Sequence, residues 1–269
     1  MPEPGSTAYA ALDHPMVSSA IFHPRPEMSR VPPGDNVSDH LVPVDEQVAI
    51  GARFHSGSAD GPTILYFHGN GEIVADYDDL GPIYNEMNIN LFAVDYRGYG
   101  CSSGSPTVST MMADCHLIFD YVRSWLQRNR YSGPLIIMGR SLGSASALEL
   151  AAAHADQVDG LIIESGFAFA APLLRLLGVL PEAIGFTEEK GFRNKDKISR
   201  YKGPTLIIHA EFDHIIPFKD GQALYEASGA GDKRFLKIKG ANHNDIMLRA
   251  MDAYMKAIRD FAEAASSKP

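Results

Sequence analysis

From residue 63 to residue 238, short unbroken apolar runs alternate with longer stretches whose apolar positions recur every three or four residues. The runs are Thr63 to Phe67 (TILYF), Asn90 to Val94 (NLFAV), Leu135 to Met138 (LIIM) and Thr205 to His209 (TLIIH); Val158 to Ile163 and Arg234 to Ile238, interrupted by Asp159 and Lys237, also read as strands. Their lengths suit strands, and unbroken apolar character suits strands covered on both faces. Between them, Thr107 to Arg130 carries Met111, Cys115, Ile118, Phe119, Val122, Trp125 and Leu126 at helical spacing, and Leu142 to His154 is an Ala-rich helix. Asp76 to Met87, Phe218 to Ala227 and Asn244 to Ala264 also read as helices. Such alternation implies βαβ crossovers, hence an α/β fold with a mostly parallel central sheet and helices on both faces. Ligands then bind beyond the carboxyl ends of the strands, so the loops after each run are where chemistry is sought.

Upstream, Val42 to Phe54 alternates roughly and predicts a strand pair turning at Asp45-Glu46. Residues 1–40 form a proline-rich arm (Pro24, Pro26, Pro32, Pro33), irregular but for one short strand expected near Val17 to Phe22. Residues 41–269 form one domain, since 269 residues is the upper end of what a single core organises. One segment interrupts the alternation: residues 166–200, where apolar side chains at Phe169, Leu173, Leu176, Leu177 and Leu180 predict a small helical cap over the sheet.

The chain is 45% hydrophobic and 21% charged, as soluble globular proteins are. A net charge of −9 argues against nucleic acid as a partner. No apolar run reaches about 18 residues, so no membrane span is expected. The stretch Met1 to Ser6 has neither a basic nor an apolar leader region, and a cytoplasmic location is expected. Two cysteines make no disulfide framework. Cys115 reads as a small buried residue in a helix. Cys101, in a Gly/Ser turn, is expected to be exposed, without a neighbour that would activate its thiol. The ten histidines include His209 and His214 flanking Asp213, but no H-E-x-x-H or paired-cysteine pattern, and no metal is expected.

Four motifs carry chemistry. Gly139-Arg140-Ser141-Leu142-Gly143 follows the LIIM run and opens a helix, the context in which G-x-S-x-G exposes a nucleophilic serine on a strained turn. Glycines two residues before and after Ser141 remove Cβ atoms where the turn crowds. His68-Gly69-Asn70-Gly71 follows the TILYF run. Its backbone offers a donor for a developing oxyanion, Asn70 first and Gly71 second, alongside the amide of Leu142. Asp213, past TLIIH, suits the acid that orients a histidine, with Glu211 as competitor. His243, past the last strand, suits the general base. The order Ser…Asp…His is that of a G-x-S-x-G hydrolase, with separations 213 − 141 = 72 and 243 − 213 = 30 residues that leave room for the intervening strands and helices.

In this order HGNG, Asp95-Tyr96-Arg97-Gly98-Tyr99-Gly100, GRSLG, EFDHIIP and GANHND make the chain, over about residues 40 to 265, resemble the α/β-hydrolase superfamily. The set is similar to small serine hydrolases that include eukaryotic protein depalmitoylases and uncharacterised bacterial esterases. Ala210 departs from the glycine relatives often carry there. The resemblance implies a serine hydrolase that cleaves an acyl ester or thioester through an acyl-enzyme, using Ser141, His243 and Asp213 and no cofactor. An aspartate in place of Ser141 would have implied dehalogenase or epoxide hydrolase chemistry. Gly71, Phe167, Phe169, Leu173 and Ile215 are the expected substrate pocket; the alternative is that the cap residues merely pack on the sheet. Arg97 is expected to pair internally rather than meet a substrate carboxylate. A serine peptidase acting on short peptides and a non-catalytic binding protein on the same fold are the competing functions.

Overall fold

In a computed structural model, residues 9–28, 34 and 36–266 are described. Residues 1–8, Pro32 and Pro33, and with them part of the expected arm, lie outside. The elements run α1 (Pro15–Ile21), β1 (Val37–Pro43), β2 (Ala49–His55), β3 (Thr63–Phe67), α2 (Gly81–Glu86), β4 (Asn90–Val94), α3 (Val108–Arg128), β5 (Leu135–Arg140), α4 (Ser144–Ala153), β6 (Gly160–Glu164), α5 (Ala170–Leu176), α6 (Asn194–Arg200), β7 (Thr205–Ala210), α7 (Phe218–Ala227), β8 (Lys233–Ile238) and α8 (Ile246–Ser266), with short 3-10 turns between.

The strands form one sheet in the order β1-β2-β4-β3-β5-β6-β7-β8. β2 pairs antiparallel with β1 and β4, and all other pairs are parallel. The continuous apolar runs are explained by two cores. In β5, Leu135 and Ile137 enter the core shared with α1, α3, α4, α6 and α7; Ile136 and Met138 enter the core shared with α2 and α8. β3 and β7 divide in the same way, so each position along a run is buried on one side or the other.

The expected strand near Val17 to Phe22 is instead the helix α1. Its Pro15 stands in the first turn, the His14 side chain accepts the Met16 amide at 3.2 Å, and Val17 and Ile21, four apart, are both buried. The expected helix from Asp76 to Met87 is broken into a 3-10 turn (Val74–Tyr77) and α2. Pro82 cannot donate back into a continuous turn, and Gly81 lies so close to His55 that a Cβ there would sit 2.2 Å from the ring. The last helix is interrupted at Ala250, whose φ is −149°. Between β6 and β7, the cap segment has helix only at α5 and α6, with two 3-10 turns and Gly178 at φ +81° ending the apolar helix before Leu180. Among the described residues, no helix is long and apolar enough to cross a membrane.

Candidate active site

Ser141 follows β5, Asp213 follows β7 and His243 follows β8, so all three lie at the carboxyl edge of the sheet. Ser141 has φ +51°, a left-handed conformation that costs a non-glycine residue energy and is held only where its surroundings enforce it. The flanking glycines make the turn possible. A Cβ on Gly139 would sit 2.3 Å from the Gly143 carbonyl oxygen, and one on Gly143 would sit 2.1 Å from that of Phe67. The crowding is therefore both within the elbow and against the end of β3. Ser144 Oγ donates to the Ser141 carbonyl at 2.6 Å and secures the turn from the helix side.

Ser141 Oγ and His243 Nε2 are 2.9 Å apart, and His243 Nδ1 is 2.7 Å from Asp213 Oδ2. All three residues are buried. The other Asp213 oxygen accepts the amides of Ile215 (3.0 Å) and Ile216 (2.8 Å), which fixes the carboxylate plane. Burial alone would push the Asp213 carboxyl up; its hydrogen bond to His243 and that ring's charge outweigh burial and hold it below the usual range. Glu211 is committed elsewhere, accepting Lys237 Nζ and the Gly240 amide, each at 2.9 Å. His209 Nε2 pairs with the Ile216 carbonyl at 2.9 Å.

The Leu142 amide lies in the first turn after Ser141, where helix donors lack intrahelical partners. Among the described residues, the Asn70 amide has no hydrogen bond to a protein acceptor. The Asn70 side chain is clamped: its Oδ1 accepts Tyr99 Oη (2.7 Å) and the His23 amide (2.9 Å), and its Nδ2 lies 2.7 Å from His23 Nδ1. Arg25 Nε donates to the Gly71 carbonyl at 2.8 Å. His23 and Arg25 thus fasten the HGNG loop, a role that no feature of the sequence announced. Arg97 grips Asp114 with Nε at 2.7 Å and Nη2 at 2.8 Å, an internal pair as expected. Cys101 is only partly exposed, with its thiol 3.1 Å from Glu27 Oε2.

A groove of about 200 Å³ runs beneath α5, lined by Phe167, Phe169, Leu173 and Ile215 together with Leu176 and Asp220. Four of the five expected pocket residues meet there; Gly71 does not. Asp220 holds the groove's wall by accepting the amides of Ala168 (2.8 Å) and Phe169 (3.2 Å).

Sequence reasoning also missed the charged cluster under the site. Arg140 donates through Nε to Glu164 at 3.1 Å, through Nη1 to Glu72, and through Nη2 to the His243 carbonyl at 2.9 Å. Burial would raise the Glu72 carboxyl, but Arg140 and the Tyr77 hydroxyl hold it below its ordinary range; burial prevails at Glu164 and pushes that carboxyl up. Arg140 occupies the variable place of G-x-S-x-G, so spacing alone could not mark it.

A protein-family model described as serine aminopeptidase, S33, matches residues 60–185. The chain is 34% identical over 208 residues to α/β hydrolase domain-containing protein 17B of Homo sapiens, covering 74% of this chain and 65% of that protein. It is 30% identical over 210 residues to α/β hydrolase domain-containing protein aho-3 of Caenorhabditis elegans, covering 76% and 58% respectively. The chain thus spans roughly three fifths of the length of these relatives. An esterase of Pyrococcus furiosus has a similar structure, with a TM-score of 0.73, 16% identity, and coverage of 90% of this chain and 99% of that one.

Proposed function

From the premise that the chain is a member of the α/β-hydrolase superfamily, we propose that it is a serine hydrolase of acyl esters or thioesters, working through an acyl-enzyme on Ser141. The observation that carries this reading is the relay Ser141–His243–Asp213, with its 2.9 and 2.7 Å links, at a serine in a left-handed turn. His243 takes the Ser141 proton as Oγ bonds to the acyl carbon. The Leu142 and Asn70 amides receive the oxyanion, where developing charge is most effectively stabilised. His243 passes the proton to the leaving oxygen or sulfur, and the alcohol or thiol departs. Water, deprotonated by His243, then attacks the acyl carbon; the acid leaves and Ser141 regains its proton. Asp213 holds the ring tautomer and stabilises the imidazolium. The apolar groove under α5 takes the acyl chain.

The test is Ser141→Ala. It is expected to lose hydrolysis of p-nitrophenyl acyl esters and covalent fluorophosphonate labelling while retaining the wild-type melting curve. Labelling that persists in the variant would place the nucleophile elsewhere; a wild-type chain that is never labelled would favour a binding protein. The description of the matching family model favours a second reading, an aminopeptidase, because the same relay can cleave amides. Faster turnover of amino-acid p-nitroanilides than of any acyl ester would select it.

A further inference from the structure

Resting on that reading, we propose that Arg140 is a positioning residue that holds the nucleophile turn, the oxyanion loop and the base loop in one fixed arrangement. The three N–H directions of its guanidinium go to three chain segments. Toward the oxyanion loop it binds Glu72, whose Oε2 accepts the Gly69 amide at 2.7 Å and Tyr77 Oη at 2.6 Å. Toward the sheet it binds Glu164, whose other oxygen accepts Tyr254 Oη of α8 at 2.6 Å. Toward the base it binds the backbone carbonyl of His243 itself. Through its own peptide bond it adjoins Ser141.

A Cβ on Gly69 would lie 2.6 Å from Arg140 Nη1 and 2.9 Å from Glu72 Oε2, so the guanidinium and the Glu72 carboxylate sit directly against the HGNG backbone. A lysine could satisfy one of these partners as a point charge but not the planar three-way fork.

Stability alone is a poor account of this cluster. Glu164 is buried, and the Arg140 and Glu72 side chains are only 13% and 26% exposed. Removing such charges from water costs much of what their attraction returns. What the cluster does supply is register between three loops that belong to different strands. Catalysis is sensitive to that register: a misplacement of about 1 Å can cost about 10²-fold in rate.

The experiment compares Arg140→Met, Arg140→Lys and Glu72→Gln with the wild type on one p-nitrophenyl ester, well below each variant's melting midpoint. Arg140→Met is expected to lower kcat by about 10²-fold with KM within about threefold, because the groove under α5 is not touched. Fluorophosphonate labelling of Ser141 falls by the same factor, and Arg140→Lys does not restore it. Glu72→Gln, on the more exposed side of the cluster, falls in kcat in the same direction by about tenfold, and decides the matter should Arg140→Met fail to fold. Folded variants with kcat and labelling rate within about twofold of wild type overturn the proposal. A wild-type chain that neither hydrolyses esters nor is labelled overturns the underlying hydrolase reading instead.

Discussion

Asp213 and Glu211 stand two residues apart in one loop, and their surroundings differ. Asp213 meets the His243 ring and two backbone amides, and is buried. Glu211 faces outward to Lys237 and the Gly240 amide. Asp213→Asn is therefore expected to lower kcat by about 10⁴, the loss a serine protease suffers from the equivalent change, whereas Glu211→Gln changes it by less than about threefold, as for a partly exposed pair. A steady-state comparison of the two variants checks this, and a greater loss at Glu211 would move the acid. At this scale Ser141, Asp213 and His243 were legible because the turn chemistry demands small neighbours at fixed offsets and the chain order is distinctive. Arg140, Glu72 and Glu164 were not. Each is an ordinary charged residue in sequence, and what matters about them is a convergence across 140 − 72 = 68 and 164 − 140 = 24 residues that only folding creates.

The parallel strands and α3 were legible at the scale of elements, because burial on both faces writes itself as continuous apolar runs and one-sided burial as helical spacing. The elements that went astray are those where a local effect overrides periodicity: Pro15 and the His14 cap in α1, Pro82 and the approach of His55 at α2, and Gly178 at the end of α5. The cap shows why this matters for function. Leu174 is buried, while Leu176 is 56% exposed, so α5 is apolar on more than the face it packs. Phe169, at the helix's N-terminal edge, is 36% exposed and lines the groove with Leu173 and Ile215. If an acyl chain fills that groove, each methylene buried there adds about 0.8 kcal/mol, at most about fourfold in rate. kcat/KM on a series of p-nitrophenyl esters is expected to climb over the first several carbons and then level as the groove fills. Phe169→Ala should flatten the climb more than it lowers the rate on the acetyl ester. Activity greatest on acetyl and declining steadily with length would remove the groove from the acyl-binding role.

One ion-pair cluster joins three helices on the same face of the sheet and couples the stability of the whole molecule to pH. Glu149 of α4 meets Lys197 of α6 at 2.7 Å and His116 of α3 at 3.4 Å. Burial works against the Glu149 carboxylate, but the His116 hydrogen bond and the Lys197 charge prevail and lower its pKa from 4.5 to about 2. A carboxyl depressed by folding stabilises the fold above its unfolded pKa and ceases to do so as pH falls through the folded one. The window is therefore between about 4.5 and about 2. The full shift corresponds to about 3 kcal/mol as an upper bound, of which about 2 kcal/mol is gone by about pH 3. Buried Asp114, Glu164 and Asp220 oppose this trend. Burial raises each of them, so their protonated forms favour the fold, and that contribution is lost as pH rises. The acid dependence of the wild type alone is consequently a sum of opposing signs, and the informative quantity is the difference between wild type and Glu149→Gln. At about pH 6 the variant is expected to melt several degrees lower, given about 2–4 °C per kcal/mol for a chain of this size. By about pH 3 the gap should have narrowed by roughly 4–8 °C, because the wild type has by then lost what the variant never had. Calorimetric melting of both proteins across that range measures the gap directly; a gap that stays constant with pH would mean that Glu149 binds its proton equally in the folded and unfolded chain.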